Sequence, residues 1–158
     1  MLYCHSRGVI HRDLKLENVL FKNQGFINDD FFIKVVDFGI AGVAQDKVDS
    51  GTLAYMSPEC LDKVDTKTSA AIDVWAIGIM FYTMIYGELP FYGNTERDLI
   101  KKIINEPVKF NNKYPISDMG KNVIKSMLQK DPTKRIELIE FVQSDYNTLE
   151  DEEFDNIY

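Results

Sequence analysis

A mainly helical domain with a small β-hairpin at its front is what this sequence predicts, on three observations. Residues Ala70 to Ile85 are apolar nearly all round, as a helix buried in a core has to be. Downstream, Leu99, Ile100, Ile103 and Ile104, and then Val123, Ile124, Met127 and Leu128, recur at helical spacing and mark two amphipathic helices. Upstream, Val19–Phe21 and Phe31–Val36 are rich in β-branched and aromatic residues. The turn signal Asn23-Gln24-Gly25 lies between them, so these runs can pair as a hairpin.

The remaining elements follow in order. Residues 1–10 read as the end of a helix running into Val9-Ile10, and a polar segment, His11 to Asn18, precedes the first strand. Residues 40–58 show no period and are dominated by Gly, Ala, Asp and Ser, which predicts a loop. The helical pattern runs from Ser69 onward, with Gly87 and Pro90 as a stop after the central helix. Ser117 suits the N-cap of the second amphipathic helix, and Pro132 lies beyond its end. No internal repeat occurs.

The chain has 158 residues, 45% hydrophobic, enough for one domain with a sizeable core. All 18 Lys and Arg lie at or before Arg135, together with 17 of the 25 acids. The other eight acids lie beyond it, so the net charge of −7 belongs to the C-terminal end. We divide the chain into a domain over residues 1–141 and an acidic tail over 142–158, a mobile tail or a surface helix. No basic run points to nucleic acid. The longest apolar stretch, Val74 to Tyr86, is shorter than the roughly 20 residues that span a bilayer. Two cysteines and no apolar leader fit a reducing compartment, the cytoplasm first and the nucleus second.

Chemistry concentrates in three segments: His11-Arg12-Asp13-Leu14-Lys15-Leu16-Glu17-Asn18, Asp37-Phe38-Gly39 and Ser57-Pro58-Glu59. Pieces of these have ordinary readings alone: His11-Arg12-Asp13 as a surface cluster, Asp37-Phe38-Gly39 as a common turn, and an Asn near an Asp as a cap. Together and in this order they match the signature set of eukaryotic protein kinases, with Ser57 for the usual Ala. The chain resembles a serine/threonine kinase catalytic domain from about residue 1 to about Arg135. Lys15 supports the serine/threonine class, because tyrosine kinases lack that lysine. Gly87–Gly93 and the block from Ile116 to Arg135 are similar to the calcium/calmodulin-dependent and AMP-activated kinase group.

The resemblance implies a protein-kinase-like C-terminal lobe using ATP and Mg²⁺ to phosphorylate Ser and Thr of protein substrates. Asp13 is implied as the catalytic base, Lys15 as stabiliser of the γ-phosphate, and Asn18 and Asp37 as the Mg²⁺ ligands. Those types suit the task, since Mg²⁺ takes hard oxygen ligands and phosphoryl transfer depends on positioning and charge stabilisation. The nucleotide side takes in Lys15, Glu17, Asn18, Leu20 and Asp37; Glu17 also matches a position that helps some relatives bind arginine upstream of the target. Met80 and Met84 fall with Leu20 where relatives stack residues beneath the adenine. Thr52, in Gly51-Thr52-Leu53-Ala54-Tyr55-Met56-Ser57-Pro58-Glu59, would bond Asp13 and Lys15. Glu59 would pair with Arg135, and Asp73 would accept from the catalytic-loop backbone. His11 and Phe38 read as packing groups, with Gly39 completing their motif.

Arg12 matches the arginine that binds an activation-segment phosphate in many relatives. Ser50 is the nearest acceptor but directly precedes Gly51, so weak dependence on phosphorylation is expected, with Asp46 or Asp49 as fixed negative charges. Leu16 stands where proline is commoner. The sequence contains no glycine-rich loop, no Val-Ala-Ile-Lys strand and no partner glutamate helix. The expectation is therefore a kinase fragment whose N-terminal lobe is absent and which is inactive alone. Two rivals stand beside it: a non-catalytic kinase-like interaction module, and a small-molecule phosphotransferase, against which the Gly51–Glu59 segment argues.

Overall fold

The structure, a computed structural model, describes residues 1–22, 32–38, 53–62, 69–111 and 114–143. The expectations for Gly39, Asp46, Asp49, Ser50, Thr52 and the acidic residues from 144 onward lie outside these. The described elements are α1 (Leu2–Ser6), a 3₁₀ turn at Leu16–Asn18, β1 (Val19–Phe21), β2 (Ile33–Val35), α2 (Pro58–Asp62), α3 (Ala71–Tyr86), α4 (Glu96–Asn105), α5 (Asp118–Met127), a 3₁₀ turn at Pro132–Lys134 and α6 (Leu138–Val142). The architecture is mostly helical with one two-stranded antiparallel sheet, as the sequence predicts.

Strand β1 pairs with β2 in the register Val19↔Val35, Leu20↔Lys34 and Phe21↔Ile33. The register sets Asn18, just before β1, beside Val36, just after β2: the Val36 N–H donates to the Asn18 carbonyl at 2.9 Å. That one bond brings the polar segment and the Asp37-Phe38 pair to the same end of the hairpin.

Helix α3 is the axis of the fold. Asp73 through Ala76 are all buried, so no side of the helix faces water over that turn. It ends at Gly87, whose φ of 68° is left-handed and whose N–H bonds the Thr83 carbonyl, a conformation that favours glycine. Against α3 lies α5, capped by Ser117, which accepts from the Gly120 N–H at 3.1 Å. The crossing is close at Gly78, where a Cβ would sit 2.8 Å from the Cβ of Met127. Trp75, Ile79, Ile103, Ile124 and Met127 are shielded from water almost completely and form the centre of the core. A smaller cluster, Leu14, Ala76 and Met80, ties the polar segment to α3.

Helix α2 departs from the sequence expectation, which ended a loop at residue 58 and resumed helix only at Ser69. Five residues are too few to show a period, and the cue is Pro58 itself, preset for the first helical position.

Lys130, just after α5, turns its ammonium inward. Nζ donates to the Ile103 carbonyl and lies 4.0 Å from the Phe91 ring centre and 4.9 Å from that of Trp75. Burial first, and the charge of Arg135 second, push the group down to about 8 from its ordinary 10.5, although the ring faces favour the charged form. Between those values the unfolded chain holds a proton that the folded chain has shed, so stability rises with pH through that window. Tyr55, Tyr82 and Cys60, raised chiefly by burial, work in the opposite direction at high pH, so the test is differential. The change in urea midpoint from about pH 7.5 to about pH 9.5 should be more positive in wild type than in Lys130→Met. An identical pH response in the two proteins would exclude this reading.

Candidate functional site

The site is assembled on the loop between α1 and β1, and α3 holds it from behind. Asp73, on the first turn of α3, has no exposure to water. Its Oδ2 accepts the His11 N–H at 2.9 Å and its Oδ1 accepts the Arg12 N–H at 2.9 Å. Burying a carboxylate without donors is costly, and these amides meet that need while fixing the loop. Arg12 has a φ of 70°, a left-handed conformation that costs a non-glycine residue about 1–3 kcal/mol and persists only where its surroundings impose it. Its side chain is exposed.

His11 is a packing group, as expected, and is fully buried. Its Nε2–H donates to the Val36 carbonyl at 2.9 Å, and its Nδ1 accepts the Asp13 N–H at 3.3 Å, so the two partners assign the tautomer. The Phe38 ring lies on it, with centroids 4.5 Å apart. His11 thus joins the loop to the segment after β2.

Asp13 is only 9% exposed. Its Oδ2 lies 3.2 Å from Lys15 Nζ and accepts from Asn18 Nδ2 at 3.3 Å. Asn18 Nδ2 also donates to the Asp13 carbonyl at 2.8 Å, which fixes the amide and leaves its oxygen for another partner. Among the described residues no hydrogen-bond donor meets Asp13 Oδ1. Asp37, two residues after β2, is exposed and has a φ of 63°. Two strained non-glycine residues, one beside and one within the candidate set, are the pattern of a functional site.

Further out, Leu20 is 49% exposed on the hairpin, while Met80 is buried and Met84 lies 60% exposed. Of the three expected beneath a base, Met80 is core packing in this structure. Glu17 is exposed on the 3₁₀ turn and raises the Tyr55 phenol through its charge, second to burial. Glu59, on α2, meets Arg135 in a two-pronged pair, Oε1 to Nη1 at 2.7 Å and Oε2 to Nη2 at 2.9 Å. Burial alone would raise the Glu59 carboxyl, but the Arg135 hydrogen bonds and charge outweigh it and hold the group below its ordinary value.

Sequence reasoning did not single out His5. On α1, 68 residues from its partner, it places Nε2 2.8 Å from Asp73 Oδ2. A lone histidine in a short N-terminal segment gives no signal by spacing.

Residues 1–147 match the family model described as Protein kinase domain. Serine/threonine-protein kinase ssp1 of Schizosaccharomyces pombe is 34% identical over 152 residues, covering 87% of this chain and 22% of that protein. RAC serine/threonine-protein kinase of Drosophila melanogaster is 41% identical over 139 residues, covering 85% and 21%. Serine/threonine-protein kinase Aurora-2 of Arabidopsis thaliana is 35% identical over 140 residues, covering 87% and 47%. The chain therefore spans from about a fifth to about a half of the length of these relatives.

Proposed function

The chain belongs to the protein kinase domain family, and on that premise we propose that its protein transfers the γ-phosphoryl group of ATP to serine and threonine hydroxyls of proteins. The carrying observation is the Asp13 carboxylate, one oxygen of which lies between the Lys15 ammonium and the Asn18 amide. In this reading Oδ1 of Asp13 accepts a hydrogen bond from the substrate hydroxyl, aims it, and takes its proton as the oxygen attacks phosphorus. Lys15 Nζ, beside that carboxylate, balances charge on the oxygens of the moving phosphoryl group. Thr52 is proposed to bond both, and Leu20 to lie beneath the adenine.

The family uses ATP and Mg²⁺. The amide oxygen of Asn18 and the carboxylate of Asp37 fit a hard cation. Among the described residues no group of three or more His, Cys, Asp or Glu could hold a metal. The other ligands of the ion would be phosphate and water oxygens. When bound, Mg²⁺ neutralises charge on the transferred phosphate. The sequence holds no glycine-rich loop or strand lysine, so the remaining ATP contacts are assigned to an N-terminal lobe outside residues 1–158. No described helix is long and apolar enough to cross a membrane. Both cysteines are free, which supports placing the protein in the cytoplasm.

The test is transfer of label from γ-labelled ATP to a generic protein by the full-length protein, with Asp37→Ala in parallel. Label on serine and threonine, lost in the variant, is expected. Equal labelling by both removes the mechanism, and none by either leaves the non-catalytic interaction module.

A further inference from the structure

We propose that the groove between α1, the start of α3 and α6 is the docking site of this chain's own acidic segment, residues 144–158. The groove has a volume of about 1060 Å³. That is room for several side chains, at the upper end of the clefts that take small ligands. Its lining brings together Leu2 and Tyr3 of α1, Val74 of α3, Pro132 of the second 3₁₀ turn, and Leu138 and Ile139 of α6. Tyr3 is 72% exposed and Ile139 39%, so apolar surface on both sides of the groove faces water.

Two features single out this occupant. The first is where it starts. Gln143, the C-cap of α6, lies four residues past Ile139, about 6 Å along a helix axis. Residues 144–158 therefore begin beside the groove, and fifteen residues reach up to about 50 Å when extended. A tether that short gives its segment an effective concentration of about millimolar, which a separate partner would have to outbind. The second feature is charge. Residues 144–158 carry six acids and no base, with Leu149, Phe154, Ile157 and Tyr158 among their apolar groups. Among the described residues, the single carboxylate in the groove lining is Glu137, and it is engaged in capping α6. Cations flank the lining instead. The Arg7 guanidinium lies 5.4 Å from the Tyr3 ring centre. The Lys134 side chain is 73% exposed, and its ion pair with Asp131 is long, at 3.8 Å. Apolar side chains of the segment fill the groove, and its carboxylates meet Arg7 and Lys134 at the rim. The docked segment covers Tyr3 and Ile139 and ties α6 to α1; each buried aromatic ring removes about 150–250 Å² from water.

The test uses the full-length protein and a fluorescent peptide of residues 144–158, read by anisotropy, and needs no activity. Phe154→Ser/Ile157→Ser/Tyr158→Ser removes the apolar groups of the tethered segment and frees the groove. The peptide should bind this triple variant, and should bind wild type at least about tenfold more weakly, because the tethered segment competes. Adding Ile139→Asp or Tyr3→Asp to the triple variant should each weaken peptide binding about tenfold or more, since each sets a charge where an apolar group is to be buried. The two lie on different helices and both are exposed, so each checks the other, and a urea melt confirms that each variant folds. Adding Lys134→Glu should weaken binding about threefold at low salt and less at high salt. No binding to the triple variant at about millimolar peptide overturns the proposal, and is the result if chain upstream of Met1 fills the groove. Equal binding to wild type and the triple variant shows a groove that the tethered segment does not occupy, and also overturns it. Binding that survives both Ile139→Asp and Tyr3→Asp places the peptide elsewhere and does the same. Sedimentation that finds wild type dimeric and the triple variant monomeric assigns the groove to the segment of a second copy and overturns docking within one chain.

Discussion

Asp13→Asn in the full-length protein is expected to lower kcat about a hundredfold to ten-thousandfold, the range for removing a positioned general base. The substitution keeps the shape of the side chain and changes its hydrogen-bonding character. Lys15 Nζ and Asn18 Nδ2 are both donors and both face Oδ2. An asparagine at this position will turn its single oxygen toward them, since the alternative sets its NH₂ against two donors. The NH₂ then occupies the place of Oδ1, the oxygen proposed to accept the substrate hydroxyl. A substrate hydroxyl arriving there meets a donor where it needs an acceptor, and no group remains to take its proton. KM for ATP should change little, because no nucleotide contact is proposed for this carboxylate. The unfolding midpoint should also move little, since the Asn18 bond survives and only the Lys15 ion pair is weakened. Steady-state kinetics and a urea melt on the same preparation separate these effects. Activity within about threefold of wild type would remove Asp13 from the mechanism.

What made Asp13 legible in the sequence, and His5 illegible, is the distance over which each is specified. The polar segment from His11 to Asn18 is contiguous, and its residue types in that order point to one chemistry. The hairpin was readable from the β-branched and aromatic runs at Val19–Phe21 and Phe31–Val36, and α3 from an apolar surface no exposed helix could carry. The Ser117 cap was readable because a cap is a local device. The contact between His5 and Asp73 joins residues 68 apart on two helices, and neither residue type announces the other. The left-handed conformations of Arg12 and Asp37 were hidden for a related reason. Glycine advertises such a site, but an arginine or aspartate is forced there by its surroundings, which a linear pattern does not contain. The inward turn of Lys130 depends in the same way on Phe91 and Trp75 arriving from separate elements. Arg135 was legible because Glu59 lies in a recognisable segment and because Asp131-Pro132-Thr133-Lys134-Arg135 also has the family's form.

The largest expected effect on stability belongs to that pair. All five N–H donors of Arg135 are used: Nε on the Gln129 carbonyl, Nη1 on Glu59 Oε1 and the Ala71 carbonyl, Nη2 on Glu59 Oε2 and Gln129 again. The side chain is wholly buried, and its guanidinium carbon lies 5.1 Å from the Trp75 ring centre. Arg135→Leu strands the Glu59 carboxylate and two carbonyls at once and is expected to cost about 3–5 kcal/mol, the range for breaking a buried pair from one side. Arg135→Lys should recover only part, because one ammonium cannot span two carboxylate oxygens and two separate carbonyls. Glu59→Gln should cost less than either, since its side chain keeps 13% exposure and an amide oxygen still accepts one N–H. Removing both charges in Glu59→Leu/Arg135→Leu should cost less than the sum of the single changes, because no buried charge is left unpaired. The pH dependence has a definite sign. The folded Glu59 carboxyl lies below its ordinary 4.5, so its contribution is complete above that value and is lost as pH falls through the lower folded one. Asp98 and Asp131, also held below their ordinary values, act in the same direction, so urea melts near neutral pH and near pH 3 (roughly) should show a larger loss in wild type than in Glu59→Gln. Because α2 starts at Pro58, directly after the turn at Leu53–Ser57, the pair also anchors that segment. An Arg135→Lys variant within about 1 kcal/mol of wild type would show that charge alone suffices and that the planar, five-donor geometry of the guanidinium is not needed.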